Sequence, residues 1–256
     1  MQLNERQRQI LDIVCRDKFV TVQGLCGLIF ASPATIRRDL CVLEENKSIK
    51  RVYGGAIPIS GNDQEIPHDI RLYRNIAEKK SIAQTAVKLV SNASTIILDS
   101  STTCTYLVRQ LDQFKDLSVL TNGMDSLALL TNMSGIKTIA TGGIITSGYE
   151  LRGAFTQASI ERYSADLFFL SCCSVSVETG VTFTDEDNAS IKQLMAKHAR
   201  KKVLLCDSSK FNRSHFFRAF SLDEFDYIIT DTAPKNKELR DAMGEHLICA
   251  DDSHIL

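Results

Sequence analysis

The chain has 256 residues, of which 44% are hydrophobic and 24% are charged, a composition typical of a globular protein with an apolar core. Its length exceeds the roughly 100 to 150 residues of a common single domain and favours two domains. No apolar stretch approaches the ~18 to 20 residues of a membrane helix, and the polar start MQLNERQRQI has no secretory pattern. We therefore expect a cytoplasmic protein without a membrane partner.

The charge is distributed unevenly along the chain. Residues 1–56 carry nine Lys/Arg against six Asp/Glu, whereas the remaining residues carry 21 against 25. This asymmetry favours a basic amino-terminal part that meets an anion and an acidic body that keeps the protein in solution.

The cysteines and histidines indicate no metal chemistry. The eight cysteines are scattered, and neither they nor the five histidines have the spacing of metal ligands. Cys172 and Cys173 are adjacent, and we interpret them as small residues of a buried strand, with no assigned chemistry. We predict neither a metal site nor a resident cofactor.

Three short helical patterns begin the chain, at residues 3–16, 21–30 and 32–40. In the third pattern, SPATIRRDL, Ser32 suits an N-cap and Pro33 suits the first helical position. An apolar stripe follows at Ile36, Leu40 and Leu43. The pattern predicts a helix whose first turn is fixed by its own sequence.

Thr35, Arg37 and Arg38 lie off this apolar stripe, near the amino end of the predicted helix. Arginines in that position bond phosphates or fork onto a guanine edge in helix-turn-helix proteins. The alternative is a surface helix with solvated arginines. The residues that follow favour the first interpretation.

A β-wing is predicted directly after this helix. Residues 48–53 form a β-prone run, Gly54-Gly55 suits a turn, and Ala56-Ile57 returns. Lys50 and Arg51 lie along this wing and add charge-assisted contacts to a DNA backbone.

These residues resemble the DNA-binding domain of the DeoR/GlpR regulators. The similarity covers SPATIRRDL, Leu43-Glu44, Ile49, Arg51 and the run Tyr53-Gly54-Gly55-Ala56. It implies a winged helix-turn-helix that binds a double-stranded DNA operator. The DNA-binding residues that we assign are Ser32, Thr35, Arg37, Arg38, Lys50, Arg51 and Tyr53. The family has glycine where this chain has Lys47, so the left-handed cap of the third helix is expected at Lys47 or Asn46.

The composition changes at residues 58–74, where Pro58, Gly61 and Pro67 stand among polar residues and indicate a linker. We therefore predict a DNA-binding domain at 1–57 and a second domain at 75–256. In the second domain short apolar runs alternate with helical patterns, which favours a Rossmann-like α/β domain with a largely parallel sheet. The predicted strands are 95–99, 117–122, 137–143, 166–172, 202–209 and 227–231.

Hydroxyls follow the first of these strands, in the run from Asp99 through Ser100, Ser101, Thr102 and Thr103. The run opens a helix, and hydroxyls together with free amides at a helix start suit an anion. An N-cap with surplus hydroxyls is the alternative.

Other strand ends carry similar residues, namely Asn122, Gly142-Gly143 and the run that ends at Lys210. Carboxyl ends of parallel strands meet at one edge, so a single crevice can collect them. Lys210 is expected to neutralise the anion. Lys192 lies in a predicted helix at 187–199, next to an apolar stripe of Ile191, Leu194 and Met195.

The body also resembles the sensor domain of the DeoR/GlpR regulators, which is related in fold to ribose-5-phosphate isomerase. The motifs D-S-G-T-T, T-N, G-G, A-x-x-K and D-S-S-K-F occur in the same order. The departures from the family pattern are Ser101, Ser171, Ser174, Asn188 and Asn212. The similarity implies a sugar-phosphate effector whose phosphate is held at Ser100 to Thr103. The effector-binding residues that we assign are Asp99, Ser100, Ser101, Thr102, Thr103, Asn122, Gly142, Gly143, Lys192 and Lys210.

Two functions remain open. The first is a transcriptional repressor of a carbohydrate operon that works as a homo-oligomer, a dimer or tetramer, and whose DNA affinity responds to a phosphorylated sugar. The second is a sugar-phosphate isomerase with an accessory DNA-binding domain, for which Asp99, Asp185 and Asp207 are candidate bases.

Overall fold

A computed structural model describes residues 3–17, 19–46, 48–58 and 67–250. The chain divides into two compact units, residues 1–76 and residues 77–256. Of the helices in the described ranges, none combines the length and the apolar character needed to cross a membrane.

The first unit contains the three predicted helices and the predicted wing. Its helices are α1 Glu5–Asp17, α2 Val22–Ile29, α3 Pro33–Glu45 and α4 His68–Tyr73, and its strands are β1 Val20–Thr21, β2 Ile49–Val52 and β3 Gly55–Pro58. The strands form a sheet in the order β1-β3-β2, in which both pairs are antiparallel. The apolar stripes of the helices close a core that includes Ile10, Leu25 and Ile36, which expose none of their surface.

The predicted turn of the wing is corrected by one residue. Val52 pairs with Gly55, so Tyr53 and Gly54 form the two-residue turn and Gly55 belongs to β3. Gly54 has a φ of 79°, which suits glycine. A Cβ on Gly55 would lie 2.2 Å from the carbonyl oxygen of Val20, so this glycine allows β1 and β3 to approach.

The predicted linker at 58–74 also needs correction. Its last residues form α4, and Ile70 of that helix is 1% exposed and joins the core of the first unit. The sequence pattern suggested a linker because Pro67 and the charged residues around Ile70 give this segment no apolar periodicity. Its contact with the core depends on Ile70. Residues 59–66, which include Gly61, lie outside the described residues.

The second unit is built on a parallel sheet of seven strands, which include all six that the sequence predicted. Its helices are α5 Ile76–Ala86, α6 Thr102–Val108, α7 Met124–Leu130, α8 Ala154–Ile160, α9 Glu186–Lys197 and α10 Lys237–Met243. Its strands are β4 Thr95–Leu98, β5 Leu117–Thr121, β6 Ile136–Ala140, β7 Ile144–Ile145, β8 Leu151–Arg152, β9 Ala165–Ser171, β10 Ser174–Ser176, β11 Gly180–Phe183, β12 Ala199–Leu205, β13 Phe217–Phe220, β14 Tyr227–Thr230 and β15 Leu247–Cys249.

The order of the central sheet is β15-β14-β12-β9-β4-β5-β6, and every pair in it is parallel. From β4 the chain moves outward through β5 to β6, and from β9 it moves outward in the other direction through β12. The strand order therefore reverses between β4 and β9. In open parallel sheets the carboxyl ends of strands at such a reversal form the ligand-binding crevice. The predicted class, a winged helix-turn-helix plus a Rossmann-like α/β domain, is confirmed.

Two smaller sheets were not predicted. β7 and β8 form an antiparallel pair, and β10, β11 and β13 form an antiparallel sheet. These strands have two to four residues each, and β10 reads Ser-Val-Ser with all three residues buried. Runs this short do not establish a periodic hydrophobic pattern, so the sequence did not reveal them.

Candidate functional site

The amino end of α3 is fixed by its own sequence, as predicted. The Ser32 side chain accepts a hydrogen bond from the backbone N–H of Thr35 at 3.2 Å, and Pro33 begins the helix. Ile36 and Leu40 are buried, whereas Arg37 and Arg38 are exposed. The first two turns of α3 thus present both arginines away from the core.

Arg37 and Arg38 make no ion pair with any residue that the structure describes. The acidic residue beside them, Asp39, points inward and is 3% exposed. Asp39 accepts hydrogen bonds from Gln7, at 3.1 Å, and from Arg6 of α1. Since α1 satisfies the Asp39 carboxylate, the two arginines keep their charge available for an external anion.

Of the two cations that the structure describes on the wing, Lys50 makes no ion pair with another described residue, whereas Arg51 shares its charge with Glu44. Lys50 is exposed on β2, and Tyr53 is fully exposed at the tip. Arg51 forms an ion pair with Glu44 of α3, with Nε and Oε2 separated by 3.3 Å. The backbone N–H of Arg51 also donates to Glu44, at 2.9 Å. Arg51 therefore fastens the wing to α3, a role that the sequence did not suggest.

The carboxyl end of α3 has only part of the predicted cap. Asn46 has a φ of −78° and is not left-handed. The backbone N–H of Ser48 donates to the carbonyl of Leu43 at 2.8 Å, as in a Schellman motif. Lys47 lies outside the described residues.

Phe30 is a residue of this surface that the sequence did not single out. It ends α2 in a left-handed conformation with a φ of 55°, and it is 94% exposed. The predicted helix at 21–30 enclosed it, although its position two residues before the Ser32 cap marks it as part of the turn. An aromatic side chain thus stands exposed in the turn that precedes α3.

In the second unit, Asp99 lies where β4 meets β9 and is 1% exposed. Its carboxylate accepts hydrogen bonds from the backbone N–H groups of Ser101, at 2.8 Å, and of Ser171, at 2.9 Å. Lys192 of α9 is 4% exposed and forms an ion pair with the same carboxylate. Burial raises the pKa of Asp99, but Lys192 and these hydrogen bonds outweigh burial and leave the pKa below its usual value.

The predicted anion loop opens α6 and is buried. Ser100, Ser101, Thr102 and Thr103 are between 1% and 9% exposed. Ser101 is the N-cap, because its hydroxyl accepts from the backbone N–H of Cys104 at 3.2 Å. Its φ is −72°, so serine replaces the family's glycine without backbone strain. The N-cap alternative thus holds for Ser101, while its three neighbours bring buried hydroxyls to the reversal of the sheet.

Glu150 is the main residue of this site that the sequence did not reveal. It is 3% exposed, and its carboxylate accepts from Ser100 Oγ at 2.5 Å and from Asn188 Nδ2 at 2.7 Å. Arg152 pairs with the same carboxylate and donates to Asp185 at 2.8 Å. Nothing in the local sequence marks Glu150 as buried, since Asn188 and Ser100, which donate to its carboxylate, lie 38 and 50 residues away.

Lys210 is held at the carboxyl ends of β9 and β12. Its ammonium donates to Ser171 Oγ at 2.8 Å and lies 3.4 Å from the carboxylate of Asp207. Burial lowers the pKa of Lys210, but Asp207 outweighs burial and leaves the pKa above its usual value. Ser171 also bonds Asp99 through its backbone, so Lys210 and Lys192 belong to one connected group of charges.

Lys79 of α5 is a further lysine near this group, and like Lys192 it is buried. It is 4% exposed, its ammonium lies 6.0 Å from the ring centre of Tyr106, and its charge helps to lower the pKa of Asp207. The sequence carried a signal for it, because Lys79 occupies the same helical face as Ile82, Ala83 and Ala86, which are all buried.

The remaining predicted residues support the backbone around Glu150. The Asn122 side chain donates to the carbonyl of Leu151 at 3.2 Å. Thr156 donates to the carbonyl of Gly142 at 2.7 Å. Gly143 has a φ of 118°, and a Cβ there would lie 2.2 Å from Thr156 Oγ1. The structure thus brings Asp99, Ser100, Lys192 and Lys210 together, whereas Gly142 and Gly143 shape the chain beside them.

The candidate bases of the isomerase interpretation are all paired with cations. Asp99 faces Lys192, Asp207 faces Lys210, and Asp185 receives Arg152. In each case burial alone raises the pKa, and the cation with its hydrogen-bonding partners leaves it below the usual value. A carboxylate with a lowered pKa is a weak proton acceptor. Among the described residues, no three His, Cys, Asp or Glu converge as ligands of a metal ion.

Two family models cover most of the chain. Residues 6–61 match the DeoR-like helix-turn-helix domain, and residues 74–232 match the DeoR C terminal sensor domain. A solved structure of ribose 5-phosphate isomerase A from Neisseria gonorrhoeae is similar over 53% of each chain, with a TM-score of 0.39 and 14% identity. A similarity that distant carries no conclusion about function.

Two relatives with regulator names match over most of their length. The HTH-type transcriptional regulator GolR of Listeria innocua is 36% identical over 228 residues, which are 89% of this chain and 90% of that protein. The HTH-type transcriptional repressor GlcR of Bacillus subtilis is 30% identical over 251 residues, 97% of this chain and 96% of that protein. With both family models matched in order, the chain belongs to the DeoR family of DNA-binding transcriptional regulators.

Proposed function

We propose that the protein represses a carbohydrate operon and that a phosphorylated sugar, bound by the second unit, changes its affinity for the operator. The amino-terminal unit supplies the DNA contacts through Arg37 and Arg38, with Lys50 and Tyr53 on the wing. A protein with this task works in the compartment that holds the DNA, which favours the cytoplasm.

One observation carries the effector proposal. Four consecutive hydroxyl residues, Ser100 to Thr103, are buried at the start of α6, where the order of the sheet reverses. The first amides of a helix have no partners within the helix and carry the positive end of its dipole. Two buried lysines, Lys79 and Lys192, and the half-buried Lys210 lie around the same edge of the sheet. A phosphoryl group is the ligand that best suits hydroxyls, amides and ammonium groups together.

Glu150 adds a requirement to this proposal. Its carboxylate accepts the hydrogen bond of Ser100 and stands where a phosphate oxygen would compete for the same donor. A phosphate that binds the loop therefore displaces Glu150 from Ser100. Arg152 and Asn188 hold Glu150, so the displacement reaches β8 and the start of α9. Binding at the loop thereby changes the packing of two further elements, which is what a ligand-driven switch needs.

We further propose that the site senses its ligand without transforming it. The carboxylates of Asp99, Asp185 and Asp207 are each paired with a cation, which supports a sensor over an isomerase. We also propose that the protein binds DNA as a dimer or tetramer, because one winged module makes few base contacts and repeated half-sites multiply its affinity.

The experiment that tests the proposal is a panel of hexose, pentose and triose phosphates, measured first for turnover and then for thermal stabilisation. We expect one class of sugar phosphate to raise the melting temperature of the protein. The NMR spectrum of that sugar phosphate should remain unchanged over hours of incubation with the protein. Conversion of a sugar phosphate at enzymatic rates would support the isomerase. Stabilisation by the free sugar equal to that by its phosphate would contradict the phosphate site.

A further inference from the structure

Two cysteines lie side by side at the carboxyl ends of β9 and β12. The strands pair in parallel with Ser171 opposite Leu205, so the next residues, Cys172 and Cys206, are also opposite each other. Their sulfur atoms are 3.8 Å apart, and the residues are 7% and 0% exposed. The adjacent residue Cys173 lies on the other side of the chain and approaches Thr184 Oγ1 at 4.0 Å.

The backbone around this pair is compatible with a disulfide. Neighbouring strands lie about 4.8 Å apart, and disulfides join residues whose Cα atoms are about 4.4 to 6.8 Å apart. The two sulfur atoms, which are 3.8 Å apart, need to approach to the ~2.05 Å of a disulfide bond. A rotation of both side chains supplies such a movement without breaking the pairing of β9 with β12.

The surroundings make the two thiols chemically unequal. The contact with Cys206 and the charge of Lys210 lower the pKa of Cys172 against the effect of burial. Burial raises the pKa of Cys206. Cys172 is also the more exposed member of the pair. Thiolate character and exposure together decide which cysteine an oxidant attacks, so Cys172 reacts first and Cys206 resolves.

We propose that Cys172 and Cys206 form a reversible disulfide when a hydroperoxide oxidises the protein. The Cys172 thiolate attacks the terminal oxygen of the hydroperoxide; the O–O bond breaks, and the alkoxide or hydroxide leaves and takes up a proton. Cys206 then attacks the sulfur of the resulting sulfenic acid. The S–S bond forms, the S–O bond breaks, and the leaving hydroxide takes the proton of Cys206 to give water. Two thiols are oxidised and one hydroperoxide is reduced.

The disulfide would act on the group of charges already described. Ser171 precedes Cys172 and Asp207 follows Cys206, and these two residues hold Lys210. Rotation of the two side chains into the bond therefore changes the packing directly beside both partners of that lysine. A thiol reductant opens such a bond by exchange through a mixed disulfide, which makes the oxidation reversible.

The test is peptide mapping of the full-length protein after mild treatment with hydrogen peroxide, alkylation of the remaining thiols and proteolysis without reductant. We expect a cross-link between the peptides that carry Cys172 and Cys206, and its loss on treatment with dithiothreitol. The matched control is Cys173→Ser, which removes the neighbouring thiol and leaves a single cysteine in that peptide. The cross-link should persist in Cys173→Ser and disappear in Cys172→Ser and in Cys206→Ser.

Two results would overturn the proposal. One is the absence of the cross-link in Cys173→Ser under conditions that oxidise other thiols of the folded protein. The other is a cross-link that joins Cys206 to Cys173 in the native chain and survives Cys172→Ser. Because Cys173→Ser alone decides the first result, the test does not depend on the stability of the buried variants.

Discussion

Lys192 and Asp99 form an ion pair at the reversal of the sheet, with side chains that are 5% and 1% exposed. The pair joins α9 to the carboxyl end of β4. Removing one member of a buried pair leaves an uncompensated charge and costs about 3 to 5 kcal/mol. Replacing both members with uncharged residues of similar shape costs much less, because no charge stays buried.

We therefore expect Lys192→Ala to destabilise the second unit by about 3 to 5 kcal/mol, measured by denaturant unfolding followed by circular dichroism. The matched control is the double variant Asp99→Asn with Lys192→Met, which should recover most of the stability that Lys192→Ala loses. If the single variant is as stable as the double variant, the pair contributes nothing to the fold.

The lowered pKa of Asp99 predicts how this contribution depends on pH. A carboxyl group whose pKa is lower in the folded state stabilises the fold above its unfolded pKa of about 3.9, and the contribution disappears as the pH falls through the folded value. We expect the wild type to lose stability below about pH 4 more steeply than the double variant. Parallel stability curves for the two proteins between neutral and acidic pH would contradict the assignment.

Lys210 should be needed for the effector response and not for DNA binding. It lies within the group of charges around Ser171, in the unit that does not contain α3. We expect Lys210→Ala to remove the thermal stabilisation by sugar phosphate while the affinity for operator DNA stays unchanged. The control is Lys235→Ala, which removes the same charge from an exposed position of the same unit. If Lys210→Ala still responds to sugar phosphate, the assignment of the anion site to this group of charges is wrong.

The exposed arginines of α3 should govern operator affinity. We expect Arg38→Ala, and separately Arg37→Ala, to weaken specific binding by ~1 to 3 kcal/mol where the side chain forks onto a base. Arg240→Ala serves as the control, since it removes the same charge from an exposed site on α10. Fluorescence anisotropy at fixed salt measures the difference. Unchanged binding in both α3 variants would remove the recognition-helix assignment.

The first unit could be predicted well because its signals are local. The cap at Ser32, the proline after it and the apolar stripe of α3 lie within one short run of residues. Gly55 was misassigned because its close approach to Val20 spans 35 residues of sequence. The ion pair of Arg51 with Glu44 was missed for a similar reason, since it requires the exact angle between wing and helix.

The second unit could be predicted at the level of its sheet, and less well at its site. Six strands were recognised because each is an apolar run followed by small or polar residues. Glu150 escaped notice, because a charged residue becomes buried only through partners such as Ser100 and Asn188 that the chain brings from far away. Lys79 showed the periodicity of a buried residue, and attention to charged residues on apolar faces would have found it. The assigned DNA and effector residues remain predictions until binding is measured.

The central claim is that the second unit senses a phosphoryl group and thereby changes DNA binding by the first. The most direct measurement selects an operator from random DNA with the full-length protein and then titrates the bound complex with the stabilising sugar phosphate. We expect the ligand to release DNA from the wild type and to leave the complex of Lys210→Ala intact. Release that is equal in both proteins, or an operator affinity that no sugar phosphate changes, would contradict the account.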